Sequence, residues 1–293
     1  MSTPRSSSPP LRASNNVAGS DLQLIWGART DVGLRRRTNE DALIAEYPVF
    51  LVADGMGGHE AGGQASERAL AAFRPLVGHG AVTIEQLNQA FREAAREVGA
   101  IEARRAAAGT TISGAAVSEH DGQTYWLVVN LGDSRTYRLS AGELEQISVD
   151  HSAVQELIDE GKLAPSDAEG HPERHVITKA IGAGSRAEPD YWLIPANDGD
   201  RLLVCSDGLS KELGAAEIAQ VLLQERSPDA AASRLVHQAL LRGGRDNVTV
   251  IVVDAHGGLD DDYPTAPAIG EDELEVDTVP RIEAQGGSDD GQV

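Results

Sequence analysis

The sequence has a single cysteine, Cys205, among 293 residues, which excludes an intramolecular disulfide and indicates a reducing compartment. Aromatic residues make up only 4% of the chain, so aliphatic side chains must supply most of the core. No apolar run approaches membrane-spanning length, and the first twenty residues hold Ser, Pro and Asn where a signal peptide would be apolar. We therefore expect a soluble, cytoplasmic protein without a membrane partner.

Positive charge is also scarce, since 25 Lys and Arg face 46 Asp and Glu for a formal net charge of -21. This balance argues against nucleic acid as a partner, because phosphates would not be neutralised. Composition predicts a disordered leader over residues 1–20 and a disordered acidic tail over residues 255–293. Residues 21–254 are long enough to form one large domain.

An apolar run over residues 49–53 predicts a buried strand that ends at Asp54-Gly55. The carboxylate of Asp54 and the carbonyl of Gly55 are adjacent hard oxygen donors, which suit Mg²⁺ or Mn²⁺. An Asp-Gly pair after a strand is also typical of a plain hairpin turn. This stretch alone therefore leaves both interpretations open.

Further carboxylates lie at strand ends elsewhere in the chain. Predicted strands end near Asp133 and Asp207, and Asp246 lies just before the apolar run 248–253. Such carboxylates repel one another and raise each other's pKa unless a cation lies between them. Oxygen donors without a Cys or His cluster favour Mg²⁺ or Mn²⁺ over zinc.

Glu40 and Asp41 precede the first predicted hairpin and add two more acidic groups to this set. Two ions that share a carboxylate can lower the pKa of a bound water and bind a phosphate. Arg36 is the one obvious residue for a forked contact with phosphate oxygens. Arg35 and Arg37 are interpreted as solvated charges.

The remaining pattern alternates runs of strands with pairs of helices, the helices being predicted at residues 60–77, 83–101, 215–224 and 228–241. Residues 151–189 interrupt the strands with a short helix and an irregular segment, which is typical of a lid. Together these elements predict an α+β fold in which helices pack outside layered sheets.

The chain carries an ordered set of motifs that resembles the metal-dependent protein phosphatases, the PPM or type 2C family, in its bacterial branch. The resemblance covers roughly residues 21–254. The motifs are Arg36-x-x-Asn39-Glu40-Asp41, Asp54-Gly55-Met56-Gly57-Gly58, Gly109-Thr110-Thr111, Gly132-Asp133-Ser134-Arg135, Asp150-His151-Ser152, Ser206-Asp207-Gly208-Leu209 and Asp246-Asn247-x-Thr249.

The resemblance implies a four-layer α-β-β-α sandwich, two antiparallel sheets flanked by helices, with the metal centre at one end. It implies a serine/threonine phosphatase that uses two Mn²⁺ or Mg²⁺ ions and no phosphoenzyme intermediate. We then expect phosphorylated proteins as partners, among them a Ser/Thr protein kinase and its targets, and a monomeric chain.

The same resemblance implies a role for each matching residue. Asp54 would bridge two metals, and the carbonyl of Gly55 would hold one of them. Asp207 and Asp246 would complete the other, while Asp133 with Asp207 would form a third site. Glu40 and Asp41 would act through water, and Arg36 would bind the phosphate.

The sequence departs from the family at Met56, where some members carry a histidine proposed as general acid. His59 is one substitute, a loop histidine without a catalytic role is the alternative, and a metal-bound water is a third source of the proton. His151 belongs to a motif whose role we expect to be structural. Cys205 lies inside an apolar run without a phosphate-binding loop, which favours packing over nucleophilic catalysis.

Two other classes of function remain open at this stage. One is a binding module that recognises phosphoproteins without turnover, which the full set of acidic positions disfavours. The other is a hydrolase of small phosphate esters or a nuclease, which the acidic surface disfavours.

Overall fold

The structure is a computed structural model, and it describes residues 11–17, 22–57, 61–102, 108–182, 185–186 and 188–257 of the chain. The strands are β1 (Leu11–Asn16), β2 (Gln23–Asp31), β3 (Asp41–Glu46), β4 (Val49–Met56), β5 (Gly109–Thr110), β6 (Ile112–His120), β7 (Gln123–Leu131), β8 (Arg135–Ser140), β9 (Glu143–Gln146), β10 (Ile181–Gly182), β11 (Ser185–Arg186), β12 (Asp190–Pro195), β13 (Arg201–Cys205) and β14 (Val248–His256). The helices are α1 (Ala61–Ala71), α2 (Ile84–Glu102), α3 (Ala153–Asp159), α4 (Asp207–Ser210), α5 (Ala215–Gln224) and α6 (Pro228–Arg242), and short 3₁₀ helices run over Arg74–Leu76 and Pro165–Gly170.

The strands form two sheets in which the described pairs are antiparallel. One sheet has the order β1-β2-β14-β13-β8-β9, and the other has the order β11-β10-β5-β4-β6-β7-β12 with β3 added beside β4. The register of β3 and β4 places Asp41 directly opposite Asp54. The register of β2 and β14 joins the beginning of the folded region to its end.

Alternating burial explains why the sheets stack face to face. On β13, Leu202 and Val204 belong to an apolar cluster that also holds residues of the other sheet, such as Phe50 and Trp126. Leu203, one position along, faces the cluster formed with α5 and α6. A third cluster lies between β4 and the pair α1 and α2. Because side chains alternate between the two faces of a strand, each sheet contributes to two clusters.

These layers confirm the expected four-layer sandwich of helices around two antiparallel sheets. A capping box lies at the start of α2. Gln86 N–H donates to Thr83 Oγ1 at 3.3 Å, and Thr83 N–H donates to Gln86 Oε1 at 2.8 Å. None of the helices in the described part of the chain has the length and apolar character to cross a bilayer.

The structure corrects the expected limits of the folded region at both ends. The prediction of a disordered leader over residues 1–20 is wrong for β1, which pairs with β2 along its whole length and lies at the edge of its sheet. Main-chain hydrogen bonds define an edge strand, so a polar composition does not reveal it. At the other end, β14 continues to His256, and Ala255 is fully buried. The rest of the predicted tail lies outside the described residues.

The segment over residues 151–189 is more regular than the sequence indicated. It contains α3 and a 3₁₀ helix, and it returns to the sheet at β10, which pairs with β5. β5 in turn pairs with Gly55 and Met56 at the end of β4. The segment predicted to form a lid is therefore anchored beside the turn that holds Asp54.

Candidate metal centre

The main chain around Asp54 is fixed by hydrogen bonds from the neighbouring strand. Asp54 N–H donates to Thr111 Oγ1 at 3.1 Å, and the Asp54 carbonyl accepts from Thr111 N–H at 3.0 Å and from Thr110 Oγ1 at 2.9 Å. The next residue, Gly55, donates its N–H to the Glu40 carbonyl at 3.2 Å. A Cβ on Gly55 would lie 2.2 Å from the carbonyl oxygen of Gly62, so only glycine lets α1 approach this turn so closely.

The side chain of Asp54 is the electrostatic centre of an acidic cluster. Its pKa is raised well above the ordinary range, first by burial and then by the negative charges of Asp41, Asp207, Asp133 and Asp246. Asp41 lies in β3, Asp207 in α4, Asp133 in the loop after β7 and Asp246 in the loop before β14, so the four residues come from elements next to both sheets. The structure therefore brings the acidic residues predicted from the sequence into one neighbourhood.

Asp41 is held from the other sheet. Its Oδ2 accepts hydrogen bonds from Ser206 Oγ at 2.8 Å and Thr249 Oγ1 at 2.7 Å, whereas its Oδ1 is buried without a hydrogen-bond partner. Burial raises the pKa of Asp41 to about 7, against the two hydroxyl donors, which lower it. The two hydroxyl groups therefore orient this carboxylate without satisfying both of its oxygens.

Asp207 and Asp133 complete the acidic side of the cluster. Asp207 opens α4, the short helix that follows β13, and forms an ion pair with Lys211 one turn later. Burial, followed by the charge of Asp207, raises the pKa of Asp133 to about 8. The Oδ1 atoms of both Asp133 and Asp207 are buried without hydrogen-bond partners.

Asp246 forms an ion pair with Arg36, the residue expected to bind phosphate. Arg36 Nη2 donates to Asp246 Oδ2 at 2.9 Å, and Arg36 Nε lies 2.9 Å from Asp246 Oδ1, a forked pair. The Arg36 side chain is 48% exposed, so one edge of its guanidinium faces solvent. The sequence placed Arg36 near the site but did not predict its pairing with Asp246.

The donor set fits a hard divalent cation. Three buried carboxylate oxygens, one each on Asp41, Asp133 and Asp207, have no hydrogen-bond partner, and such oxygens are costly to bury unless a cation or a donor satisfies them. As placed, however, no three His, Cys, Asp or Glu side chains in the described ranges are grouped closely enough to hold an ion. Two of the carboxylates contact cations of the chain itself, since Asp207 pairs with Lys211 and Asp246 pairs with Arg36.

Several supporting residues were not assigned a role from the sequence. Asn247 joins separate parts of the site, since its Oδ1 accepts from Glu40 N–H at 2.8 Å while its Nδ2 donates to the carbonyls of Val32 and Thr38. Asn247, like Ser206 and Thr249, lies inside a motif that is visible in the sequence. The motif marks these positions but does not show which hydrogen bonds they form. Lys211 had no such signal, because its position depends on α4, which was not predicted.

The candidates for a general acid are reduced by the structure. Met56 lies at the end of β4, in contact distance of Gly109, and carries no proton to donate. His59 lies outside the described residues. His151 is buried, its Nδ1 accepts from Gly132 N–H at 3.1 Å, and its Nε2 lies 3.0 Å from Asp190 Oδ2. Both ring nitrogens thus have partners, and Nδ1 binds the main chain just before Asp133 while Nε2 contacts β12.

Cys205 has the packing role that the sequence favoured. It is fully buried in β13, and burial raises the pKa of its thiol to about 12. A thiol with such a pKa is protonated at neutral pH and is a poor nucleophile. Cysteine-based phosphoryl transfer is therefore excluded at this position.

Comparison with known proteins identifies the family. Residues 35–240 match the family model described as Protein phosphatase 2C. The chain is 39% identical over 254 residues to the serine/threonine protein phosphatase PstP of Mycobacterium tuberculosis. This alignment covers 84% of this chain and 47% of PstP. The chain thus spans about half the length of that relative. It is 34% identical over 242 residues to the serine/threonine phosphatase stp of Listeria monocytogenes, covering 77% of this chain and 94% of that one.

A solved structure supports the same assignment. The catalytic domain of PstP in complex with two manganese ions superposes with a TM-score of 0.72 at 38% identity, covering 80% of this chain and 99% of that one. Fold, motif order and identity therefore agree over most of the described residues. The chain belongs to the protein phosphatase 2C family.

Proposed function

We propose that the chain is a metal-dependent phosphatase that removes phosphate from phosphoserine and phosphothreonine in proteins. The observation that carries the proposal is the buried cluster of Asp41, Asp133 and Asp207 around Asp54, with an unpartnered oxygen on each of the first three. Family membership and the names of the relatives support the reaction class. The proposed substrates are phosphorylated proteins, including a Ser/Thr protein kinase and its targets.

Asp54, the carbonyl of Gly55, Asp207 and Asp246 would hold two Mn²⁺ or Mg²⁺ ions, with Asp133 at a third site. When bound, the ions supply positive charge for the phosphate and a water of lowered pKa for direct attack on phosphorus, without a phosphoenzyme. Glu40 and Asp41 would act through water around this centre. This assignment is supported by the oxygen-only donor set at the joined ends of both sheets.

The chain's own residues then have defined tasks. Arg36 orients the phosphate with the exposed edge of its guanidinium, because the other edge is engaged by Asp246. Ser206 and Thr249 keep the Asp41 carboxylate directed into the site. Met56 cannot donate a proton, so the proton for the leaving alkoxide would come from water or from His59.

The direct test is Asp207→Asn, with hydrolysis of p-nitrophenyl phosphate and a phosphothreonine peptide measured in Mn²⁺. We expect turnover to fall by about 100-fold or more, since one removed electrostatic group costs that much in comparable sites, while circular dichroism shows an intact fold. Asp121→Asn is the matched control, because Asp121 lies exposed in the turn between β6 and β7. Near-normal turnover in Asp207→Asn would refute the assigned site.

A substrate panel separates this proposal from the alternatives. We expect hydrolysis of phosphoserine and phosphothreonine peptides and little activity on nucleotides or nucleic acid, because the chain carries a net charge of -21. Phosphopeptide binding without turnover in saturating Mn²⁺ would instead identify a binding module. Preferential hydrolysis of nucleotides would identify a phosphoesterase of small molecules.

A further inference from the structure

Lys211 lies in the turn directly after α4, and its side chain carries a positive charge close to the predicted metal ligands. Its Nζ forms an ion pair with Asp207 Oδ2 and lies 3.8 Å from Asp246 Oδ2. Its charge also acts on Asp133. One ammonium group therefore lies within 4 Å of two carboxylates that the proposed function assigns to metal binding, those of Asp207 and Asp246.

This contact follows from the geometry of α4. Asp207 is the first residue of the helix, and the Lys211 N–H donates to the Asp207 carbonyl at 2.8 Å, so the two side chains lie one above the other on the same face. The main chain at the start of α4 is held in place, because Gly208 packs so tightly that a Cβ would lie 1.9 Å from the Asn247 carbonyl oxygen. Asp207 is therefore anchored by its main chain and has a short side chain, whereas the Lys211 ammonium lies at the end of a long, flexible one.

We propose that Lys211 is an internal competitor for the divalent ions, and this inference rests on the metal site of the proposed function. A metal ion on the unpartnered Asp207 Oδ1 would lie next to the ammonium on Oδ2 of the same carboxylate, so the two cations would repel each other and the ammonium would have to move away before the ion is fully coordinated. The Lys211 side chain is 33% exposed and has a route to solvent. It neutralises part of the acidic cluster before metal binds and lowers the affinity for metal.

The test is calorimetric titration of Mn²⁺ into chelator-treated Lys211→Met and wild-type chains. We expect Lys211→Met to bind Mn²⁺ about tenfold more tightly, a difference of about 1.4 kcal/mol, because the competing ion pair is gone. A merely structural role would weaken binding when lost. Lys211→Arg keeps the charge and should stay close to the wild-type affinity.

Arg174→Met is the matched control, since Arg174 is an exposed cation of the same neighbourhood whose hydrogen bond goes to the His171 carbonyl. We expect its Mn²⁺ affinity to remain within about twofold of wild type. Without metal, Lys211→Met should unfold at a lower temperature than Arg174→Met, because the carboxylates then repel each other unopposed. Lys211→Gln serves for the same measurements if the methionine variant does not fold.

Unchanged or weaker Mn²⁺ binding by Lys211→Met and Lys211→Gln would overturn the inference while leaving the proposed function intact. Failure of the wild-type chain to bind Mn²⁺ would overturn the proposed function, and the inference with it. The two failures are thus distinguished by the wild-type titration alone.

Discussion

Asp41 and Asp133 are two buried carboxyl groups whose raised pKa values show the electrostatic cost of the site without metal. Both carboxylates are buried, and their pKa values rise to about 7 and about 8 because water no longer stabilises the charged form. Each keeps one oxygen without a partner. A bound divalent cation favours the charged form and reverses this direction.

The free energy of unfolding of the metal-free protein should therefore fall as pH rises from about 5 to about 8. The unfolded carboxyls lose their protons near pH 4, whereas the folded ones retain them up to pH 7 or 8, so the folded state binds more protons in this window. Raising the pH then removes the stabilisation, and urea unfolding of chelator-treated protein measures it. Asp133→Asn should flatten the profile, and saturating Mn²⁺ should do the same. A flat profile in metal-free wild type would contradict the assigned pKa directions.

Ser206→Ala should destabilise the protein by about 1–3 kcal/mol. The fully buried Ser206 hydroxyl donates to Asp41 Oδ2 and accepts from Thr249 N–H at 3.0 Å, so the change removes the side-chain acceptor of that N–H and leaves Asp41 Oδ2 with one hydroxyl donor where it had two. Urea unfolding in the presence of Mn²⁺ measures the loss. Ser166→Ala is the control, because the Ser166 hydroxyl also contacts a carboxylate, Asp167, but at an exposed position. Equal stability of the two variants would refute this role of Ser206.

At the scale of elements, two glycines in helices have opposite roles. Gly208, in α4, lies so close to the Asn247 carbonyl that an added Cβ would meet it at 1.9 Å. Gly99, inside α2, has no neighbouring atom within 4 Å of an added Cβ. The first glycine is required by the approach of α4 to the start of β14, and the second is not required by packing.

Gly208→Ala should therefore displace α4 and reduce both Mn²⁺ affinity and turnover by at least about tenfold, since a shift of about 1 Å in a site costs 10²-fold in rate. Gly99→Ala should raise the free energy of unfolding by about 0.5–1 kcal/mol with unchanged activity, because alanine favours the helix. Denaturant titration and phosphatase assays on both variants measure these effects. Full activity in Gly208→Ala would show that α4 tolerates displacement from β14.

The sequence was informative for elements with a clear apolar pattern. Continuous apolar runs predicted β13 and β14, and apolar residues at helical spacing predicted α2. The order of the motifs predicted which strand ends carry carboxylates. β1 was missed because its definition lies in main-chain pairing with β2. α4 was missed because four residues show no period, and with it the contact of Lys211 to Asp207 was missed. Arg36 and Asp246 are 210 positions apart in the sequence, and neither composition nor local spacing predicts a contact between residues so far apart.

At the scale of the whole molecule, the candidate site joins two sheets. Asp54 lies in the eight-stranded sheet, whereas Asp207 and Asp246 flank strands of the six-stranded one. Under the proposed function, a metal held by both sets of residues would link the two layers across the inter-sheet core. Binding free energy at such a site contributes to the stability of the complete domain.

Mn²⁺ should therefore raise the unfolding temperature of the whole domain in a single transition. A free concentration of about 100 times the dissociation constant corresponds to about 2.7 kcal/mol of added stability. Differential scanning calorimetry with increasing Mn²⁺ measures the shift, and Asp207→Asn should respond much less than wild type. Two separate transitions, with only one sensitive to Mn²⁺, would contradict a site that links both sheets.

The pairing of β2 with β14 has a consequence for the timing of activity during synthesis. Asn247, just before β14, holds the carbonyls of Val32 and Thr38 and the N–H of Glu40, so the loop that carries Arg36 depends on a residue translated about two hundred positions later. Under the proposed function, we therefore expect no phosphatase activity from a nascent chain until Asn247 has left the ribosomal exit tunnel. We expect premature termination before Asn247 to give a polypeptide without the proposed activity, even in the presence of Mn²⁺.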